Sequence, residues 1–424
     1  MKPLAAALVA LLATIASADE RPLTLDEALR IFRTRGFDLI IADAQIANAR
    51  GDVEIASAIA NPSLSLSRGN SFHYNPALCE GCSSTSLSGS ITDQAALSDA
   101  LTGKRRLRVA VAKAALGVTQ QTRADVERTL EFTVKTQVLN AELAKRSLAY
   151  TAESQQLAAD TLKLVKVRYD AGAVSEADVA RAEVQKMEAD QAVDVARQTL
   201  DSAKASLAYL LGYEQTPGDL DVADELTRSA KFVNPARETL LQEALQHRPD
   251  LAAAQLQKIR ARSALTLARR QRVPDFLPSV QYSQEGTGQS AIQPPTLTFG
   301  LSFSPPIFYR YRGEIAKAEA DLRTQEVTAQ KITAQVGSDV SAAFALLTSA
   351  QSRTSRMEGS LLERAGRARD LVRFQYEKGA ASLFEFLDAQ RTFLATRTEY
   401  LQNLNDYWSA VFQLEQATGM ELRP

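Results

Sequence analysis

The chain has 424 residues, of which 45% are hydrophobic and 23% are charged. Its 49 Lys and Arg residues nearly balance its 50 Asp and Glu residues, and the formal net charge is −1. Neither a basic patch nor a polybasic tail is visible in the sequence, so nucleic acid is not an expected partner.

The N-terminal segment, residues 1–18, has the pattern of a signal peptide. Lys2 supplies a positive charge, 4–15 form an apolar stretch too short to span a bilayer, and Ala16-Ser17-Ala18 resembles a cleavage site. We therefore expect an exported chain that begins at Asp19. That residue is not cysteine, which argues against a lipid-anchored N-terminus. No later apolar run reaches the ~20 residues that a membrane helix needs.

A helical pattern over Leu25 to Ala60 comes next, which would give a helix of about 55 Å. After Pro62 the sequence changes to strict alternation of serine with apolar residues, and the alternation returns over 84–91. A period of two with small polar residues is typical of strands that have one apolar and one wet face. The pattern predicts a β-hairpin over about 62–93.

Two cysteines, Cys79 and Cys82, lie in the loop between these predicted strands. In an exported protein, a C-x-x-C pair fits a small disulfide loop, half of a metal site or a redox pair. Structural zinc needs four ligands, and His73 is the one further candidate nearby. Of these alternatives we expect the loop disulfide.

Proline is absent between Pro76 and Pro217, and glycine is sparse there. Proline would break a helix and glycine would weaken it, so the span predicts very long helices. From Gly103 to Tyr169 a helix would measure roughly 100 Å, and a second helix over Ser175 to Leu211 about 55 Å. The apolar seam in the first of them is narrow and typical of a coiled coil; it comprises Val126, Leu130, Val134, Val138, Leu139 and Leu143.

The second half of the chain repeats the first. The segment Tyr169-x-x-Gly-x-x-Ser returns as Tyr376-x-x-Gly-x-x-Ser, an offset of 207 (376 − 169). A duplicated unit indicates one fold built from two structural repeats, which we place at 19–230 and 231–424. The second repeat contains a hairpin over about 278–304 and a proline-free helix from Gly313 to Tyr376, about 95 Å long.

The predicted fold class is α+β and mostly α, with long antiparallel coiled-coil helices and four strands per chain. Four strands cannot close a barrel alone, so other copies of the chain would have to complete the edges. An aromatic cluster follows the last strand, as at a membrane interface: Phe303, Phe308, Tyr309 and Tyr311. An ordinary soluble hairpin with aromatic core residues is the alternative.

Each repeat has a tight helical hairpin, with its tip at 170–175 or 377–382. Glycine at 172 and 379 suits the end of the incoming helix, and Ser175 and Ser382 suit the start of the outgoing one. Asp178 and Glu385 stand at capping-box positions. We expect Asp178 to serve as a cap. Glu385 is expected to do more than cap its helix, because Asp388 follows one turn later. Two such carboxylates repel each other and are not both needed for a cap.

These motifs resemble the TolC family of outer-membrane efflux proteins over nearly the whole mature chain. The resemblance rests on the duplicated Tyr-x-x-Gly-x-x-Ser, on the segment 244–251 and on the segment 385–390. It implies a homotrimer with one 12-stranded barrel in the outer membrane and a helical tunnel across the periplasm.

The resemblance also implies a periplasmic gate made of an acidic ring and a tyrosine, which correspond here to Glu385, Asp388 and Tyr376. The family's best-known member has an arginine two residues after the tip glycine, where this chain has Ala381; Lys378 could take its place. An adaptor would dock on the tips, at Ala171, Gly172, Ala173, Val174, Lys378, Gly379, Ala380 and Ala381.

Within the family, the segments 304–308 and 312–315 resemble the CzcC-like heavy-metal branch. The implied function is a passive exit duct of a tripartite efflux system for small toxic solutes or divalent metal cations. The implied partners are a periplasmic adaptor (membrane fusion) protein, an inner-membrane pump of the RND type and outer-membrane lipid. Two alternatives remain, which are the same duct in type I protein secretion and a soluble periplasmic coiled-coil scaffold.

No enzyme is expected, because G-x-S-x-G, H-E-x-x-H and Walker-type motifs are absent from the sequence. No cofactor or resident metal is expected either. The chain has only two histidines and four methionines, too few soft ligands for a transition-metal relay.

Overall fold

The computed structural model describes residues 22–72, 75, 77, 84–218, 220–223, 236–285 and 295–422. The helices in this part of the chain are α1 (Leu25–Arg35), α2 (Phe37–Ser57), α3 (Ala96–Thr102), α4 (Lys104–Asp170), α5 (Glu176–Leu210), α6 (Arg237–His247), α7 (Pro249–Arg270), α8 (Arg312–Arg356), α9 (Leu362–Glu377) and α10 (Leu383–Thr418). The strands are β1 (Ser63–Asn70), β2 (Thr85–Thr92), β3 (Phe276–Glu285) and β4 (Thr296–Phe303). The predicted signal peptide and the pair Cys79 and Cys82 lie outside the described residues, so both stay predictions.

The single helix predicted over Leu25 to Ala60 is wrong, because the chain bends at Gly36 and forms α1 and α2 instead. Gly36 adopts a non-helical conformation with ψ of 120°. A Cβ atom there would lie 2.7 Å from the carbonyl oxygen of Phe32, which favours glycine at the bend. The second repeat bends in the same way at Arg248, where the following Pro249 disfavours helical backbone.

The long helix of the first repeat is confirmed. α4 contains 67 residues and therefore measures about 100 Å. Val134, Val138 and Leu139 of the predicted seam are buried in the main hydrophobic core. No helix among the described residues has an apolar stretch long enough to cross a membrane.

The continuous helix predicted from Gly313 to Tyr376 is interrupted by a π turn at Met357–Leu361 between α8 and α9. The turn lies where α8 meets Asn403 of α10. The Asn403 side-chain amide donates to the Met357 sulfur at 2.8 Å, and the Thr354 hydroxyl donates to the Asn403 carbonyl at 3.2 Å. Single π turns of this kind occur inside α-helices, and here both buried contacts lie beside the turn.

The four strands form one antiparallel sheet in the order β1-β2-β3-β4, so the pairing of β2 with β3 joins the two repeats. The predicted alternation is confirmed. The serine hydroxyls of Ser65 and Ser90 lie 2.9 Å apart, and those of Ser67 and Ser88 lie 2.7 Å apart, on one face. The opposite face is apolar and exposed, with Leu64, Leu66, Ile91, Val280, Leu297 and Phe299.

The predicted aromatic cluster begins at the last residue of β4, Phe303, and continues in the connection to α8. Phe308 is fully exposed, and Phe303 and Tyr309 are more than half exposed. Tyr311 has a positive φ of 54°, a conformation that is uncommon for a residue with a side chain. A membrane role for this cluster stays a prediction.

The main core lies where α1, α4, α6, α8 and α10 meet, so it draws on both repeats. Two buried basic residues beside this core, Lys135 and Arg248, form ion pairs. Lys135 of α4 pairs with Glu415 of α10 at 2.6 Å, and both side chains are less than a tenth exposed. Arg248 binds Asp250 at 2.7 Å and Asp339 at 2.9 Å. The Lys135–Glu415 pair joins the two repeats near the middle of α4, whereas the Arg248 pairs lie within the second repeat.

Candidate functional site at the two hairpin tips

The tips of the two hairpins have the same backbone. At the first tip the Ala173 amide donates to the Arg168 carbonyl at 2.9 Å, and at the second the Ala380 amide donates to the Gln375 carbonyl at 2.8 Å. Gly172 and Gly379 have φ values of 70° and 77°. This is the glycine-terminated helix end that the repeated motif predicts.

Both outgoing helices begin with the predicted capping box. The Glu385 amide donates to the Ser382 hydroxyl at 3.2 Å, and the Ser382 amide donates to the Glu385 carboxylate at 2.7 Å. The corresponding distances between Asp178 and Ser175 are 3.3 and 3.1 Å. Both residues therefore cap their helix, so capping does not distinguish Glu385 from Asp178. The additional role of Glu385 in a gate stays a prediction.

The caps also keep these carboxylates charged. The hydrogen bonds from the Ser382 backbone and side chain lower the pKa of Glu385 below its ordinary value of 4.5. The hydrogen bonds from the Ser175 side chain and backbone, helped by the charge of Arg181, lower the pKa of Asp178 below 3.8. Both tips therefore carry negative charge at neutral pH and well into the acid range.

Asp388 lies one turn after Glu385, and both side chains are exposed on α10. The Asp388 carboxylate contacts Arg391 at 3.3 Å, and the Asp388 side chain is 52% exposed. It borders a shallow groove between α5 and α10 that has Val184 and Leu387 in its wall. The second tip therefore presents two carboxylates on successive turns of one helix.

Tyr376, the third predicted gate residue, is enclosed rather than exposed beside the acidic pair. Its side chain is only 2% exposed, and its ring stacks on Phe386 with centroids 5.3 Å apart. The guanidinium of Arg168 covers the Tyr376 ring at 4.4 Å. Tyr376 thus belongs to the contact between the two hairpins of one chain.

Arg168 is a site residue that the sequence analysis did not single out. Besides covering the Tyr376 ring, its guanidinium donates to the carbonyls of Tyr376 at 2.9 Å and of Glu377 at 3.1 Å. These carbonyls end α9, where the negative end of the helix dipole favours a cation, and the Tyr376 carbonyl also accepts from the Gly379 amide at 2.9 Å. We call the contact of Arg168 with Tyr376 and Glu377 the latch. The signal in the sequence was the mismatch of Arg168 with Gln375 inside an otherwise similar repeat.

Most of the predicted adaptor-docking residues are exposed. Val174 and Ala381 instead pack against the apolar cluster between the hairpins. Lys378, which was considered as a substitute for the missing arginine, has its ammonium group 5.6 Å from the centre of the Phe374 ring. Among the described residues, no group of three or more His, Cys, Asp or Glu side chains could hold a metal ion.

Comparison with known proteins shows what this chain is similar to. A profile of the outer membrane efflux protein family matches residues 29–213 and 240–420. The cobalt-zinc-cadmium resistance protein CzcC of Cupriavidus metallidurans is 24% identical over 405 residues, which cover 94% of this chain and 90% of CzcC.

Solved structures show the same fold. The outer membrane protein VceC of Vibrio cholerae aligns with a TM-score of 0.74 at 19% identity, over 94% of this chain and 97% of VceC. The open state of the MtrE outer membrane channel of Neisseria gonorrhoeae aligns with a TM-score of 0.77 at 19% identity, over 94% and 89% of the two chains.

Proposed function

The chain belongs to the outer membrane efflux protein family, and we propose that it is the passive exit duct of a tripartite efflux system, gated at its periplasmic tip. The observation that carries the proposal is the second hairpin tip. At the end of a helical hairpin with helices up to about 100 Å long, it presents Glu385 and Asp388, both charged groups exposed to solvent.

A trimer is the assembly that we propose. β1 and β4 are the two edges of the sheet within one chain, and unpaired strand edges do not occur within the hydrocarbon of a membrane. Three copies would join these edges into one 12-stranded barrel, with the serine-rich face inside and the exposed apolar face toward lipid. The same symmetry would bring three copies of Glu385 and Asp388 around one axis.

Divalent metal cations are the substrates that we propose, because the relative CzcC is named for cobalt, zinc and cadmium resistance. A ring of carboxylates favours cations electrostatically. The duct would neither bind its substrate tightly nor catalyse a reaction. The driving energy would come from an inner-membrane pump of the RND type, reached through a periplasmic adaptor that docks on the exposed tips.

The test replaces the two acidic groups without removing the helix cap. Glutamine can occupy the last position of a capping box, so Glu385→Gln with Asp388→Asn removes the charge and retains the fold. In planar bilayers we expect divalent cations to block this variant about tenfold more weakly than the wild type, a change of about 1.4 kcal/mol. Because the pKa of Glu385 lies below 4.5, block of the wild type should persist at pH 5 and weaken only at lower pH.

The matched control is Glu238→Gln with Glu243→Gln, which removes two carboxylates from α6, a helix that packs on the main core and not on the cluster at the tips. The control should keep the block of the wild type. If the tip variant is blocked as strongly as the wild type, Glu385 and Asp388 do not form the gate.

A further inference from the structure

The short helix α3, between β2 and α4, buries its polar side and exposes its apolar side. Ser98 is fully buried, and Asp99 and Thr102 are less than a tenth exposed. Leu97 and Leu101, one turn apart, are 42% and 68% exposed. A surface helix in water has the opposite arrangement, with its apolar stripe on the core. The exposed side of α3 therefore suits an apolar environment rather than water.

The buried polar side of α3 is fixed to the segment that leads into β3. The Ser98 hydroxyl donates to the Asp275 carboxylate at 2.7 Å, and the Lys104 ammonium donates to the same carboxylate at 2.8 Å. The Asp99 carboxylate accepts two hydrogen bonds from Arg108, at 2.9 and 2.6 Å. Because these contacts hold the polar side inward, the two leucines stay directed outward at this end of the sheet.

The connection from β4 to α8, which corresponds to it in the second repeat, also exposes apolar side chains. Ile307 is 66% exposed and Phe308 is fully exposed. The connection is held instead by Tyr309, whose hydroxyl donates to Glu314 at 2.7 Å and accepts from the Gly313 amide at 3.1 Å. The start of α8 thus fixes the connection without burying Phe308.

Both connections lie at the same end of the sheet. Phe276, the first residue of β3, is in register with Phe303, the last residue of β4. The Arg272 guanidinium donates to the Arg310 carbonyl at 3.2 Å, so the segment that holds α3 also contacts the second connection. We call α3 together with residues 304–312 the interfacial strip. Its exposed apolar side chains continue the exposed apolar face of the sheet.

Arginines without a carboxylate partner flank the second half of the strip. Arg270, Arg310 and Arg312 are exposed. Neighbouring Arg269 pairs with Glu319 at 2.8 Å, whereas none of these three forms an ion pair within the described part of the chain. The strip therefore combines exposed apolar groups with positive charge that the chain itself does not neutralise.

We propose that the interfacial strip inserts into the membrane leaflet at the periplasmic end of the sheet and binds anionic phospholipids there. Its apolar side chains lie beside the acyl chains, and Arg310 and Arg312 bind lipid phosphates, whose oxygens match the arginine fork. Uncompensated cations favour headgroups with a net negative charge over zwitterionic ones. This inference rests on the proposed membrane duct and adds the class of lipid that the duct binds.

The first test places a tryptophan on each half of the strip. Leu101→Trp and Phe308→Trp are made separately in the full chain and reconstituted in phospholipid vesicles. The wild type supplies the background, because Trp408 is its only tryptophan. We expect lipids brominated on the acyl chain to remove about half of the added fluorescence, since an interfacial group lies roughly 5–10 Å into the headgroup boundary. Acrylamide, a quencher in water, should leave it nearly unchanged.

The two reporters also test what else could cover the strip. Quenching by acrylamide in place of lipid would put the strip in water, and quenching by neither would put it against another copy of the chain. Either result overturns the inference. Heat-modifiable migration on gels reports the trimer separately. A wild type that does not enter vesicles as a trimer overturns the proposed duct, whereas trimers in vesicles with unquenched reporters overturn the interfacial strip alone.

The second test measures the class of lipid. Phe308→Trp is placed in vesicles of equal parts phosphatidylcholine and phosphatidylglycerol, with the bromine on one lipid or on the other. We expect bromine on phosphatidylglycerol to quench about threefold more efficiently, and added salt to weaken this preference. Arg310→Gln with Arg312→Gln in the same background should abolish it.

The matched control is Arg364→Gln with Arg367→Gln, which removes two exposed arginines from α9, the helix that ends at the second tip. The control should keep the preference for phosphatidylglycerol. Equal quenching by the two brominated lipids in the variant that retains Arg310 and Arg312, or a preference that survives the loss of both arginines, overturns the binding of anionic phospholipid at this strip.

Discussion

The buried pair of Lys135 and Glu415 gives the sharpest stability prediction. The two groups lie 2.6 Å apart, and their side chains are 7% and 5% exposed. Glu415 also accepts a hydrogen bond from the Leu422 amide at 2.9 Å. The perturbation is Lys135→Met, which keeps the volume of the side chain and removes its charge.

The expected loss of stability follows from the burial of Glu415. Lys135→Met leaves the Glu415 carboxylate in the core with one amide donor instead of an ion pair, and breaking a buried pair on one side costs about 3–5 kcal/mol. The double variant, Lys135→Met with Glu415→Gln, leaves no buried charge. Replacing both members of such a pair is often nearly neutral, so we expect the double variant to be within about 1.5 kcal/mol of the wild type.

The assay is the urea midpoint of the purified protein, followed by circular dichroism, for the wild type, both single variants and the double variant. The expected order of stability is wild type, then the double variant, then Lys135→Met. Additive losses, in which the double variant is the least stable of the four, would show no coupling between the two groups and contradict this prediction.

Two further predictions use the same assay. Gly212 has a φ of 80°, and a Cβ atom there would lie 2.2 Å from the Arg35 carbonyl oxygen, so Gly212→Ala should lose more stability than Gly172→Ala. Gly172 has open space around it, so Gly172→Ala should lose only the roughly 1–2 kcal/mol that a left-handed backbone costs a residue with a side chain. Equal losses of stability in the two variants would contradict this prediction. Burial alone would raise the pKa of Asp250, but hydrogen bonds and charge from Arg248 hold it below 3.8. This lowered pKa stabilises the fold above about pH 4 and stops doing so as the pH falls through the folded-state value; Arg248→Gln should therefore be less stable at pH 7 and less sensitive to acid.

Features that depend on local chemistry were predictable from the sequence. Proline-free spans located α4 and α5, because one proline would have broken either helix. Serine alternation located β1 and β2, since a period of two fixes which side chains share a face. The capping boxes at Ser175 and Ser382 followed from residues three positions apart, and these contacts need no tertiary information.

Features that depend on distant contacts were not predictable. The bend at Gly36 was missed because helical spacing continues across it, and the close approach of Gly36 to Phe32, which favours glycine there, is visible only in the structure. The π turn at Met357–Leu361 carries no proline and lies beside contacts with Asn403, more than 40 residues away. Arg168 was visible as a charge, but its partner lies 208 residues further along the chain.

The fold also changed the interpretation of Tyr376. The family resemblance implied a tyrosine acting beside the acidic residues of the gate, whereas the structure encloses the ring between Phe386 and Arg168. Glu385 acts as a helix cap and in our proposal is also part of the acidic ring, so an alanine substitution would test two properties at once. Substitution of Glu385 by glutamine retains the cap and removes the charge, so it tests the charge alone.

The most direct test of the central claim is single-channel recording of the purified wild type in a planar bilayer, with divalent cations added on the side of the hairpin tips. We expect heat-modifiable trimers that conduct, and a block by divalent cations that Glu385→Gln with Asp388→Asn relieves about tenfold. Trimers that do not conduct, or equal block of the two proteins, would contradict a passive duct gated at this acidic tip.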